Sequence, residues 1–431
     1  MKTNRKVAAI FFMACASASA QVVPEAIGPI GPPGGENFTY SLSYSQVAYL
    51  YSANANSTTP VGTNQGNQSK SVASGDLDYF HPSERHPLSV DYAGGYIWPV
   101  YGPNMGTGVF QRGVVSQGFI QERWKLFLSD NVDDTPAPPT VGFSGVAGTG
   151  EPIGTSGPAS SSPSSILTIN TRLISNLAAG ELEYTLNRTT NLTVGGGSDI
   201  VNFPSGGGLN TEGELGNAGI TKNLSARTAL LGGFIFSHFG FGASPYSQNA
   251  AGSFNVNAGV VGVQYLWSRQ IKMDLQVGPE WTSASNSALV PATADVRVNA
   301  YVTDQFRGGA LDFGYNRGIE GGAGYLPSAE IDAVTGGYSQ KLGRATVVGV
   351  SGSYQHFNAL QSSGGATNAE YGGAQVSQRI GRYLNLVAGY TAIHQSQTLT
   401  GSASQSNVLN GLYHDLSFGI AFAPRGEPFI Q

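Results

Sequence analysis

The sequence predicts an all-β fold, a transmembrane antiparallel up-and-down barrel of about 18 strands, with 16 as the alternative count. Three observations predict it: a shortage of charge, an excess of glycine and aromatic residues, and long alternating runs that recur about every 40 residues. Only 11% of the 431 residues are charged, where an ordinary soluble domain carries about 25%. The 60 glycines are roughly twice the usual share of about 7%, and 20 Phe, 20 Tyr and 4 Trp suit pleated sheet better than helix. Mean hydropathy is −0.10, and beyond the N-terminus no stretch approaches the roughly 18 apolar residues of a membrane helix, which excludes a helical membrane protein. A hydrophobic content of 40% argues against disorder.

The elements follow in chain order. Lys2, Arg5 and Lys6, the apolar run Val7 to Ala16, and Ala18-Ser19-Ala20 read as a secretory signal peptide over residues 1–20, removed from the mature chain. Losing three cations takes the formal net charge from −5 to −8. The only cysteine, Cys15, leaves too, so no disulfide or cysteine metal site is expected in the mature protein. Lipidation of Cys15 is the lesser reading, because Phe12-Met13-Ala14 lacks the expected leucine. Acidity without a basic block argues against a nucleic-acid partner. Residues 21–37 are rich in Pro and Gly and read as a flexible leader.

From Phe38 to Phe422 alternating segments meet at short polar turns that carry an arginine: Arg85, Arg123, Arg188, Arg227, Arg269, Arg307, Arg344 and Arg382, at intervals of 38, 65, 39, 42, 38, 37 and 38 residues. A β-propeller has a similar period but divides it among four short strands. Here each period holds two long ones. Ile271, Met273, Leu275 and Val277 alternate with Lys272, Asp274 and Gln276, and Ala294, Val296, Val298, Ala300 and Val302 with Asp295, Arg297, Asn299, Tyr301 and Thr303. Leu412, Leu416, Phe418, Ile420 and Phe422 repeat the pattern at the end. Runs of this length match the ~9–11 residues of a tilted membrane-crossing strand. Two strands per arginine turn, plus a first and a last, make 18. The early segments, Gly108 to Glu122 above all, alternate poorly, which keeps 16 open. An even count puts both termini on the side of the arginine turns. The longer connections, roughly 53–67, 99–107, 133–176, 203–212, 241–252, 284–292, 320–328, 359–366 and 399–410, fall on the other side. Residues 423–431 form a C-terminal tail.

The signal peptide, the alternating strands, the arginine-marked turns and the aromatic-rich last strand together resemble Gram-negative outer-membrane β-barrels of the porin-like kind, over about residues 38–422. The resemblance is one of architecture, not of a sequence motif. In such barrels the chain commonly ends on an aromatic residue read by the barrel-assembly machinery, whereas here Phe422 is followed by APRGEPFIQ. The resemblance implies a channel in the Gram-negative outer membrane for passive diffusion of small polar solutes or ions, with outer-membrane lipid and the barrel-assembly machinery as partners and the oligomeric state open. An outer-membrane barrel associated with polysaccharide export, or a structural or adhesive barrel with a closed lumen, are the alternatives.

With 16–18 strands side chains alone cannot fill the interior, so a water-filled lumen is expected. Glu181, Glu183, Lys272, Asp274, Asp295, Arg297, Asp312 and Asp415 fall in phase with the polar face and are the candidate pore lining. The plainer reading is that they solvate a wide wall. In porins the third external loop folds inward, and by that resemblance part of 133–176, the longest connection, enters the lumen, with Asp133, Asp134, Glu151 and Arg172 shaping a constriction. The plainer reading is a surface loop. The turn arginines can snorkel to lipid phosphates or simply serve as turn residues. Tyr49, Tyr51, Tyr96, Trp98, Trp124, Trp267, Trp281, Phe357 and Tyr390 read as aromatic girdles. His81, His86, His238, His356, His394 and His414 fall in no motif with known mechanics. The expectation is therefore no enzyme, no cofactor and no metal, with His238, His356 and His394 as scattered residues toward the external rim.

Overall fold

The computed structural model describes residues 37–52, 67–102, 107–136, 172–204, 208–242, 251–285, 290–322, 326–361, 365–398 and 411–422. Eighteen antiparallel strands follow one another in chain order: β1 (Asn37–Ser52), β2 (Gln68–His81), β3 (Leu88–Tyr101), β4 (Gly108–Ile120), β5 (Trp124–Thr135), β6 (Leu173–Asn187), β7 (Thr190–Asn202), β8 (Thr211–Asn223), β9 (Thr228–Phe241), β10 (Gly252–Leu266), β11 (Ile271–Ala284), β12 (Ala294–Phe306), β13 (Gly309–Gly322), β14 (Leu326–Leu342), β15 (Thr346–Ala359), β16 (Ala366–Arg379), β17 (Leu384–Thr398) and β18 (Gly411–Phe422). Each pairs with its chain neighbours, and β1 pairs with β18 from Leu42↔Phe422 to Ser52↔Leu412. The sheet is therefore closed. Closure leaves no free edge, which is how a sheet satisfies its backbone inside lipid.

All eight arginines that mark the repeat sit in the eight short connections, and the nine other connections share the opposite end. Tight turns there use glycine where the backbone must be left-handed: Gly308 (φ 81°) in the two-residue β12–β13 turn and Gly343 (φ 72°) between β14 and β15. Several connections are shorter than the sequence suggests, two of them markedly so. The 133–176 connection shrinks to 136–172 because β5 runs to Thr135 and β6 starts at Leu173, and 320–328 shrinks to 323–325. Alternating strands carry their pairing past the point where glycine and proline content rises.

Alternation sorts the wall into two faces. Large apolar residues on one face stand exposed, among them Leu42, Val194, Phe234, Val261, Leu275, Val296, Phe313, Phe418 and Ile420. That is the outer face. The inner face carries shielded Ser, Thr, Gln and carboxylate side chains, for example Ser41, Ser43, Ser74, Thr193, Gln276 and Thr335. β4 alternates poorly in sequence because apolar residues also point inward there: Val47, Val72, Ile97 and Phe110 form one buried cluster across β1–β4. The strand count is 18.

Candidate functional site: the lumen and its infolded hairpin

Among the described residues, one ladder of the wall stops well short of the strands that form it. The β12–β13 ladder runs from Phe306↔Gly309 to Val298↔Arg317 and stops, although both strands continue. Above it Ala294 to Arg297 pair only with β11, from Gly278↔Arg297 to Trp281↔Ala294. Gly318 to Gly322 pair only with β14, from Gly318↔Ile331 to Gly322↔Leu326. The upper end of β13 has left its place beside β12, taking the β13–β14 hairpin with it.

The packing shows where it goes. Strict alternation from Leu311 and Phe313, both on the outer face, would put Ile319 in lipid. Instead Ile319 is 1% exposed and shares a cluster with Phe241, Phe254 and Val256, which face inward from β9 and β10. The Ile319 amide donates to Glu280 Oε2 at 2.8 Å, and Glu280 faces inward from β11. A Cβ built on Gly321 would lie 3.2 Å from the Phe239 ring, and one on Gly318 would lie 3.3 Å from the Arg297 guanidinium. Gly318 and Gly321 thus sit where a larger residue would press on the Arg297 guanidinium and the Phe239 ring. The hairpin's other face joins Leu326, Ala329 and Ile331 to Leu173, Val201 and Phe203 of the β6–β7 side in a single apolar cluster with Ala333 and Phe357. The hairpin is folded into the lumen.

Charge holds it there. Arg317 pairs with Asp332 at 2.9 Å, with Asp295 at 3.2 Å and with Glu330, and the Tyr315 hydroxyl donates to Asp332 at 2.8 Å. Arg297 pairs with Glu280 at 3.0 Å, where the carboxylate is fully buried. One guanidinium bridging carboxylates from β12 and β14 fixes the geometry in a way a lysine could not.

The eight candidate lining residues all occupy inward positions. Glu181 and Glu183 lie low on β6, with Glu183 accepting from Lys125 at 3.1 Å and Asn191 at 2.8 Å. Asp274 accepts from Gln264 at 2.8 Å and Gln276 at 3.3 Å. Lys272 and Asp312 lie in the same lower half, opposite Thr303 across the strand pairs Lys272↔Thr303 and Thr303↔Asp312. Asp295 and Arg297 belong to the hairpin's anchor. Asp415 lies near the Lys70 ammonium, which sits 5.0 Å over the Tyr49 ring.

Of the four loop residues, Glu151 lies outside the described residues. Asp133 is on β5 facing the lumen. Asp134 and Arg172 do not face it: they form a two-pronged pair on the outer face at 2.8 and 2.6 Å, because Asp134 shares the phase of outward Leu128 and Val132. Two expected girdle residues turn inward for the same reason of phase. Tyr49 follows Val47 into the lumen, and Phe357 is fully buried. The outer aromatics include Tyr96 stacked on Trp98 and Phe306 stacked on Tyr338. His238, His356 and His414 each reach a neighbouring strand on the outer face, at Asn255, Asn368 and Tyr390.

The infolded hairpin had a legible signal in the sequence. Arg317, Glu330 and Asp332 fall at outer-face positions of their strands, where lipid would not tolerate them.

No family model and no curated protein matches the chain. Among solved structures it is similar to OccK2 (OpdF) of Pseudomonas aeruginosa, at 12% identity over 90% of this chain and 99% of that one, with a TM-score of 0.44. It is similar too to a BenF-like porin from Pseudomonas fluorescens Pf-5, at 9% identity over 90% and 98% with a TM-score of 0.43. OccD3 (OpdP) of Pseudomonas aeruginosa is 11% identical over 95% and 97%, with a TM-score of 0.40. Likenesses at this level say nothing further about function, for which the barrel's own geometry has to speak.

Proposed function

We propose that the chain is a channel of the Gram-negative outer membrane through which small polar solutes and ions diffuse passively. The observation that carries this reading is the closed 18-strand wall, apolar outside and lined inside by Glu181, Glu183, Lys272, Asp274, Asp295, Arg297, Asp312 and Asp415. A barrel of this strand number is too wide for wall side chains to fill, and its polar inner face needs water. The infolded β13–β14 hairpin narrows it. The signal peptide 1–20, the leader 21–37 and the tail 423–431 belong to the proposal, as do lipid and the assembly machinery as partners. Part of 136–172, with Asp133 and Glu151, is proposed as a second narrowing element; Asp134 and Arg172 are assigned to anchoring its root. The reading is of a channel and not an enzyme.

A barrel with a closed lumen is the second reading, favoured by the apolar clusters at the long-connection end. Refolded residues 21–431 in planar bilayers decide between them. Conductance in discrete steps is the expected result; a folded, heat-modifiable protein that conducts nothing would overturn the channel reading in favour of the second.

A further inference from the structure

The sign of the charge around the hairpin carries the channel reading one step further, on which this inference rests. Where the hairpin crosses the lumen, Glu320, Glu330 and Asp332 of the hairpin meet Glu280 of β11 and Asp295 of β12. Asp199, from β7 on another part of the wall, lies within electrostatic reach of Glu320, as do Glu280 and Arg297. Against six carboxylates stand two guanidiniums, Arg297 and Arg317, both already engaged with Glu280, Asp295, Glu330 and Asp332. Four formal negative charges are left over. They lie where the hairpin crosses the lumen, between apolar clusters that keep the local dielectric low. A field focused in this way concentrates cations and repels anions, and rings of Asp and Glu are how pores select cations.

One observation independent of that cluster agrees. On the β2–β3 wall, Asp78 and Asp91 are direct cross-strand partners on the inner face, with Asp76 one inward position away. Arg112 is the cation that acts on Asp91 there.

We infer that the hairpin level is a cation filter, and that small inorganic and organic cations are the solutes this barrel favours over anions. Asp199 and Glu320 are the specificity-determining pair, because neither is tied to an arginine by an ion pair.

The test is the reversal potential of single channels in a tenfold KCl gradient. Native protein is expected to pass K+ several-fold better than Cl−. Asp199→Asn with Glu320→Gln is expected to lower that ratio at least twofold, while Asp130→Asn, on the outer face of β5, leaves it unchanged. Native protein gives a second readout that needs no variant: millimolar Mg2+ lowers the K+ conductance of an acidic constriction. A reversal potential at zero or on the anion side, no effect of Mg2+, or an unchanged ratio in the folded double variant overturns the inference and leaves the channel standing. A folded barrel that never conducts overturns both.

Discussion

Arg317 ties the infolded hairpin to the wall. It is paired with carboxylates of β12 and β14 at the point where β13 leaves the wall, so its removal strands three acids against one another. Each pair is partly solvated, which moderates the effect, but the loss of the shared partner leaves repulsion as well as a missing attraction. Arg317→Ala is expected to destabilise the barrel by about 2 kcal/mol, measured by denaturant unfolding in micelles, and to make open-channel current noisier. Asp295→Asn should do less, since Arg317 keeps Glu330 and Asp332. An Arg317→Ala protein as stable and as quiet as the native one would mean the network is ornamental. At the same scale, the two faces of β11 differ sharply. Leu275→Arg puts a charge on the lipid face and is expected to cost about 2–4 kcal/mol, whereas neighbouring Gln276→Arg, on the inner face, should stay within about 1 kcal/mol. Equilibrium folding into vesicles measures both, and equal costs would contradict the assignment of faces.

At the scale of the element, the β13–β14 hairpin is the departure from a regular barrel. Alternation stays intact through it, so nothing in its period reveals that its outer face is packed on other strands instead of lipid. The charged residues at outer-face positions are the clue, and they become readable only once the phase of both strands is known. Strands β11, β12 and β18 were legible because their apolar residues sit in lipid and their polar ones in the lumen. β4 and the upper parts of β14 and β15 were not, because Phe110, Ile331 and Phe357 point inward, and a period-2 rule assigns such residues to lipid. The infolded placement has a direct check. Residues 21–431 carry no cysteine, so in that protein Phe239→Cys with Gly321→Cys is expected to form a disulfide on mild oxidation, seen as a gel shift that reductant reverses. The failure of that pair to cross-link in a folded barrel would place the hairpin elsewhere.

For the molecule as a whole, strand number, order and sidedness follow from simple regularities: eight arginine turns, two long strands in each period, and an even count. The interior was less legible. Its inward phase identified the candidate lining residues, yet among the described residues the element that narrows the lumen is a hairpin with a three-residue connection. Loop length is visible in a sequence; a strand end that leaves its partner is not. The central claim is that a wide barrel is made selective by this hairpin. Arg317 and Asp332 are direct partners, so an Asn-Gly turn can join them in place of residues 318–331. Single-channel conductance of that shortened protein beside the native one is the most direct measurement. A several-fold larger conductance from a barrel that still folds is expected, and an unchanged conductance would contradict the narrowing role of the hairpin.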